Sequence, residues 1–471
     1  MLAKQNLKTF SLKNKELGFA LLFAFIAAIF SSFILYLICG AILLYLFYKY
    51  SEKIAVPFVI VSFLILVSDL NSNIRMSLNV FNLLLLSYMF LKKYGLDFSK
   101  YPVIPKNIIL IFALFVSAMI LSSIFSKNIY TGFVEVARTI VFTIIMYFLY
   151  SFLKQEEDIY KYLNSMLFAG LIVSISLIVE FIKSNKLQYL LETSGFVTLG
   201  GYFTNSTAVG GFLSVTLAIN LAFLFLHSDK NRKYKQIFLV ILFILQIASL
   251  LLTNARASIL AWFISVAISL YYLKKDLLKK ILITLFIVSI IAFLSPQFNV
   301  LIDNYFRTNR ILENTRYPLW EMAWQMFITH PILGVGPGMF RNYMYSYLSV
   351  PLGSWTEQQI YVLQQIAATP AHNFLLMQAS ELGLAGLTGA FFLIYSFLKT
   401  GFTVIKKNIN VDNQNYIFAV VLTAAGIGLF ARSIFESTGI FTNGWITRDL
   451  PFWLIFAILS FLSKESNVIK N

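Results

Sequence analysis

Apolar stretches long enough to cross a bilayer recur along almost the whole chain, and that repetition leaves few folds open. Fourteen candidate spans are read at 18–31, 33–49, 54–70, 76–93, 107–125, 132–153, 160–183, 203–227, 235–252, 257–273, 279–295, 373–399, 414–433 and 447–464. A hydrocarbon core of about 30 Å takes roughly 17–25 apolar residues as an α-helix. Inside it, every backbone N–H and C=O must be paired within the protein. Helices meet that demand one segment at a time. A β-barrel meets it with alternating segments of about ten residues, a pattern this chain lacks. The expected fold is an all-α polytopic integral membrane protein with 12–14 transmembrane helices. Only 12% of the 471 residues are charged, against about 25% in a soluble domain.

The basic residues orient the chain. A net charge of +16 in a soluble protein would suggest nucleic acid. Here the lysines gather in short loops between apolar segments, as the positive-inside rule describes, so no nucleic acid is expected and the surrounding partner is membrane lipid. If residues 18–49 form a hairpin turning near Ser31 and Ser32, the basic loops at 48–53, 92–106, 228–236, 274–280 and 399–408 share the cytoplasmic side with both termini. Twenty-four of the 27 lysines then lie there, and nine of the ten arginines lie outside or just within the membrane. The N-terminal lysines resemble a signal peptide, but the apolar run continues without a small-x-small cleavage site, so an uncleaved anchor is expected. Cys39 is the single cysteine, which excludes an internal disulfide and a cysteine metal cluster.

Three parts follow in chain order: an N-terminal transmembrane bundle (1–295), an external loop (296–371), and C-terminal transmembrane helices with a cytoplasmic tail (372–471). The loop is too long for a connector. Trp320, Trp324, Met326 and Phe327 predict a helix with an apolar stripe after Pro318, lying at the bilayer surface. HPILGVGPG (330–338) breaks the chain, and a second short helix follows. Gly334, Gly336 and Gly338 lack the strand–loop–helix context of a phosphate loop and read as a turn.

Arg256, Arg316 and His372 stand at one predicted depth, at the outer ends of different segments. Arginine binds phosphate bidentately and keeps its charge, so paired arginines at an outer interface suit a pyrophosphate. The same cations would stabilise the charge that grows as a pyrophosphate leaves. A histidine that titrates near neutral pH suits an acceptor hydroxyl as base. Each residue also has a structural reading: arginines snorkel at span ends, and interfacial histidines are commonly hydrogen-bonded scaffold. Arg138, inside a span beside Glu135, needs a partner or a cavity. Arg432 and Glu436 are spaced for an i,i+4 pair. Both arginines are further candidates for the cavity lining. Arg307, Arg310 and Arg341 read as a solvated basic face, and Arg75 and Arg448 as interfacial anchors. With no DxD pair and three scattered histidines (His227, His330, His372), no metal and no cofactor are expected.

These residues fall in segments that resemble the O-antigen ligase and Wzy-type polymerase superfamily. GGYFTNSTAVGGFL (200–213), which contains Asn205, resembles the family's glycine-aromatic-asparagine entry to a span. LLTNARASILAW (251–262) is similar to its T-x-S-R-G/A corner, with Ala255 where serine is usual. RYPLWEMAWQMFITHPILGVGPGMF (316–340) resembles its R-x-x-x-W … P-x-x-G-x-G-x-G-x-F loop. AHNFLLMQASELGLAGL (371–387), with Asn373, resembles its H-N-x-x-L … E-x-G-x-x-G segment. The resemblance implies a GT-C-like membrane glycosyltransferase of the bacterial inner membrane whose active site faces the periplasm. The donor it implies is a glycan on undecaprenyl pyrophosphate, moved to an acceptor hydroxyl without nucleotide and with inversion. Arg256 and Arg316 would bind the pyrophosphate, His372 would be the base, and Asn205 and Asn373 would contact the substrate. The favoured acceptor is the lipid A core. A Wzy-type polymerase, with a second lipid-linked repeat as acceptor, and transfer to protein stay open. So does a different class, a transporter or lipid-linked sugar flippase, although related halves and midplane charges are not evident.

Overall fold

The computed structural model describes residues 52–65, 72–184, 198–201, 205–226, 233–294, 316–347, 370–409 and 413–468. The spans expected at 18–31 and 33–49, with Arg307, Arg310 and His227, lie outside the described residues. Those described are helical throughout, joined by short turns and two 3₁₀ turns. In chain order they are α1 (Glu52–Ile65), α2 (Ser72–Tyr94), α3 (Lys106–Ile124), α4 (Ile129–Phe152), α5 (Glu156–Lys183), α6 (Ser206–Leu226), α7 (Lys233–Leu252), α8 (Arg256–Leu273) and α9 (Lys275–Phe293). Then come α10 (Arg316–Thr329), α11 (Phe340–Tyr343), α12 (Phe374–Asn408), α13 (Asn413–Ser433) and α14 (Ile446–Val468). Among the described residues, nine helices are long and apolar enough to cross a membrane: α3 to α8 and α12 to α14. The chain is a multi-pass membrane protein.

α6, α13 and α14 form the middle of the bundle, with about four-fifths of each apolar window buried. α7 and α9 instead expose large apolar side chains such as Ile241, Ile244, Phe286 and Ile287, as helices facing lipid do. The most extensive helix contact is α8 against α13. It is close because α13 has glycine at 428: a Cβ there would stand 2.3 Å from both the Ala261 carbonyl oxygen and Ser265 Oγ. Small-residue contacts of this kind replace hydrophobic driving force in lipid. Ser265 Oγ also donates to the Ala424 carbonyl across the same seam.

One spanning helix is broken. α12 runs 35 residues, further than the span expected at 373–399, and its path is interrupted at Gly383, whose φ is +62°. The turn at 331–338 docks into the break. Val335 N donates to the Ser380 carbonyl (2.9 Å), Gly336 N to the Glu381 carbonyl (3.0 Å), and Leu384 N to the Pro331 carbonyl (2.8 Å). Non-helical backbone is tolerated inside a membrane protein where neighbouring protein restores its hydrogen bonds. The approach allows no side chain on either partner. A Cβ on Gly334 would lie 2.3 Å from the Glu381 carbonyl carbon, and one on Gly383 would lie 2.5 Å from that of Ile332. The glycine-rich segment is therefore a turn, as its sequence context indicates, and its backbone N–H groups serve α12.

Before that turn, α10 buries Leu319, Met322, Ala323 and Met326. The buried stripe is thus rotated from the tryptophan-led one expected. Trp324 is 49% exposed, and Trp320 packs beside Phe435. Bulky aromatics occupy the rim of this helix, and slimmer side chains fill its contact with α12.

Candidate active site

The helix ends that surround the 331–338 turn also carry the candidate residues. α12 begins at an Asn373 N-cap, whose side chain accepts from Leu376 N at 2.9 Å and whose amide donates to the Ile434 carbonyl at 3.0 Å. Just before the cap, His372 holds φ at +49°. A non-glycine residue pays about 1–2 kcal/mol in this region, and such strain gathers where a side chain must be aimed. The other positive-φ non-glycine residues among those described, Asn254 and Asn443, flank the starts of α8 and α14 at the same end of the bundle.

Glu436 organises the centre. Its side chain is only 4% exposed. Oε1 accepts from Arg316 Nη2 at 2.8 Å, and Oε2 meets His372 Nδ1 at 3.1 Å, while Arg316 and His372 remain 29% and 25% exposed. A carboxylate accepts, so Nδ1 carries the proton and Nε2 is the basic nitrogen. Burial alone would raise the Glu436 carboxyl. The His372 hydrogen bond and the charges of Arg432, His372 and Arg316 outweigh it and hold the group below the usual carboxylate range. α13 ends at Ser433, so Glu436 lies past the helix: Arg432 acts on it through its charge, while its two oxygens go directly to Arg316 and His372.

Arg432 is 1% exposed and is directed at protein. Nε donates to Ser258 Oγ (3.0 Å), Nη2 to the Thr207 carbonyl (2.8 Å), and Nη1 to the Thr438 carbonyl. It ties α6, α8 and the 434–445 turn together beneath Glu436. Ser258 lies two residues beyond Arg256, the first residue of α8, so Arg432 fixes the helix end that presents Arg256. Ala255, where the family pattern has serine, brings no hydroxyl to this corner, and Ser258 supplies one to Arg432. Asn205 caps α6, accepting from Ala208 N at 3.0 Å. Asn205 and Asn373, both expected at the substrate, are thus engaged as helix caps. His330 is tied to Thr329 Oγ1 and Tyr347 in the loop.

Arg138 joins a different group. It pairs with Glu135 at 2.7 Å and lies over the Trp445 ring, 5.0 Å from its centroid. Arg448 and Arg75 stand over the same ring at 4.5 and 5.7 Å. The two residues expected to be interfacial anchors are therefore gathered with Arg138 on one indole.

A bundle of membrane helices, a docked loop and an arginine–carboxylate–histidine relay at one end define a polytopic protein with a site built on its helix termini. Residues 241–391 match the family described as O-Antigen ligase. No curated protein matches the chain. The matched stretch includes Arg256, Arg316 and His372 and ends before Glu436 and Trp445.

Proposed function

We propose that the chain is an O-antigen ligase-like glycosyltransferase at the outer face of a bacterial inner membrane. It transfers a glycan from undecaprenyl pyrophosphate to an acceptor hydroxyl, that of a lipid A core. The observation that supports this most directly is the Glu436 carboxylate shared between Arg316 and His372. Arg256 and Arg316 hold the donor pyrophosphate in place of a metal. His372 Nε2 takes the proton of the acceptor hydroxyl as its oxygen attacks the anomeric carbon. The anomeric C–O bond breaks, its electron pair passes to the phosphate oxygen, and configuration inverts. The imidazolium that forms is stabilised by Glu436, while the arginines bear the charge on the leaving pyrophosphate.

In proteoliposomes supplied with a lipid-pyrophosphate glycan, transfer proceeds in EDTA without nucleotide. His372→Ala lowers it by roughly 10²–10⁴-fold, the usual contribution of a positioned base. Full activity in that variant would remove the base assignment. Wild-type rates in both Arg256→Lys and Arg316→Lys would remove bidentate phosphate recognition. In the polymerase alternative the same groups act on the hydroxyl of a second lipid-linked repeat. Offering lipid A core and lipid-linked repeat side by side separates the two.

A further inference from the structure

The fold makes room for Arg432 from two sides. A Cβ on Gly211 of α6 would stand 2.9 Å from Arg432 Cζ, and one on Gly439 in the turn after α13 would stand 3.0 Å from Nη1. The side chain is 1% exposed, and taking a charge out of water is costly. Its bonds go to neutral acceptors, Ser258 Oγ and the carbonyls of Thr207 and Thr438. A neutral amide can donate to such groups too, so hydrogen bonding alone does not call for a charge here.

The charge acts on Glu436. Burial raises that carboxyl and the His372 hydrogen bond lowers it. The next influence is the charge of Arg432, ahead of those of His372 and Arg316. Among the described residues, the charged and titratable groups that act on Glu436 are thus Arg432 from α13, His372 from the start of α12 and Arg316 from α10. Arg432 itself feels Glu436, Arg448 and Arg316.

The proposed reaction sets a difficulty that this charge answers. A carboxylate against an imidazole favours the imidazolium, and a pyrophosphate nearby adds negative charge. A histidine that is protonated before the acceptor arrives cannot take the proton of its hydroxyl. Arg316 is 29% exposed, and in that reaction it and Arg256 meet the pyrophosphate, which then shares their charge. Arg432 is closed off from the donor, so its charge stays with Glu436.

Resting on the glycosyltransferase reading, we propose that Arg432 is a positioning residue for the base: a counter-charge to Glu436 that the donor cannot reach, which keeps His372 free to accept a proton while Arg256 and Arg316 hold the pyrophosphate.

The test is a histidine titration by NMR. The chain has three histidines, so labelling their Cε1 carbons gives three signals, and His372→Gln identifies the one from His372. The full-length protein is titrated in nanodiscs of zwitterionic lipid, with and without farnesyl diphosphate, and each variant is checked by its melting temperature. In Arg432→Gln the His372 midpoint lies higher than in wild type by about one pH unit. Arg432→Lys, which keeps the charge and loses the fork, brings the midpoint most of the way back. The gap between Arg432→Gln and wild type persists with farnesyl diphosphate bound, and the acid limb of kcat moves with the midpoint. The proposal is overturned if the Arg432→Gln midpoint matches wild type, if Arg432→Lys moves it as far as Arg432→Gln does, or if farnesyl diphosphate closes the gap. Where Arg432→Gln does not fold, Arg432→Gln/Glu436→Gln, which removes both buried charges, is compared with Glu436→Gln. Its midpoint lies higher, and coincident midpoints overturn the proposal. The titration needs no turnover. A midpoint shift without transfer in wild type would count against the catalytic reading alone, and transfer with the midpoint unmoved would count against the role of Arg432 alone.

Discussion

Glu436 and Glu381 are both closed to solvent, 3% and 2% exposed, yet their charges are met in different ways. Glu436 faces cations and a histidine. Glu381 faces neutral donors: Phe340 N at 3.2 Å, the Gly338 N–H, and Asn443 Nδ2 at 3.2 Å. The first arrangement answers to the charge of its neighbours, because Arg316, Arg432 and the His372 hydrogen bond hold its carboxylate. The second can only hold, because backbone N–H groups do not titrate. Burial is the same in both places, and the partners separate chemistry from scaffold. Glu381 fastens the loop, the α12 break and the 434–445 turn to one another, and the resulting platform keeps Glu436 within reach of both Arg316 and His372.

The comparison breaks most easily at Glu436. Glu436→Gln leaves His372 without the carboxylate that selects its tautomer and offsets its positive charge, and transfer falls by roughly 10²-fold or more. A rate within twofold of wild type would make Glu436 scaffold as well. Glu381→Gln has the opposite profile. One acceptor oxygen becomes a donor, so a buried N–H loses its partner and stability falls by about 1–3 kcal/mol, while transfer per folded molecule is unchanged. Thermal melts paired with initial rates check both. If Glu381→Gln lost rate without losing stability, the division drawn here would fail.

The smallest effect is on pH dependence. The Glu436 carboxyl is held below its ordinary value, so its pairing contributes fully above the usual carboxylate range. That contribution disappears as pH falls through the lowered value. Wild type should therefore lose more melting temperature on acidification below about pH 4 than Glu436→Gln does. Parallel curves would show that the ion pairs contribute nothing to the fold.

Much of this architecture is legible in the sequence. Spans read at 107–125, 235–252 and 257–273 correspond to Lys106–Ile124, Lys233–Leu252 and Arg256–Leu273, because in a bilayer the length of an apolar run nearly determines the helix. Arg316 and His372 were legible as site candidates from their positions and motifs. Glu436 was legible only as a charge four residues from Arg432. Its role depends on α13 ending at Ser433, a boundary that hydropathy does not mark. The mutual docking of Gly334 and Gly383 was out of reach for a similar reason: each glycine alone reads as a turn or a weak helix position, and their meaning lies in a contact between segments about fifty residues apart. The Trp445 group gathers arginines from three separate stretches: Arg75 and Arg448 alone look like interfacial anchors, and Arg138 alone asks only for a partner or a cavity.

The break in α12 also bears on biogenesis. A continuous helix can settle into a bilayer with its backbone already paired. α12 cannot, because groups around Gly383 find their partners only in the 331–338 turn. That turn is synthesised earlier, so it must already have reached the side of the membrane where α12 begins when the helix arrives. Delivery of the loop thus becomes a checkpoint on insertion, and a chain whose loop is misplaced would present the quality-control machinery with an unpaired helix.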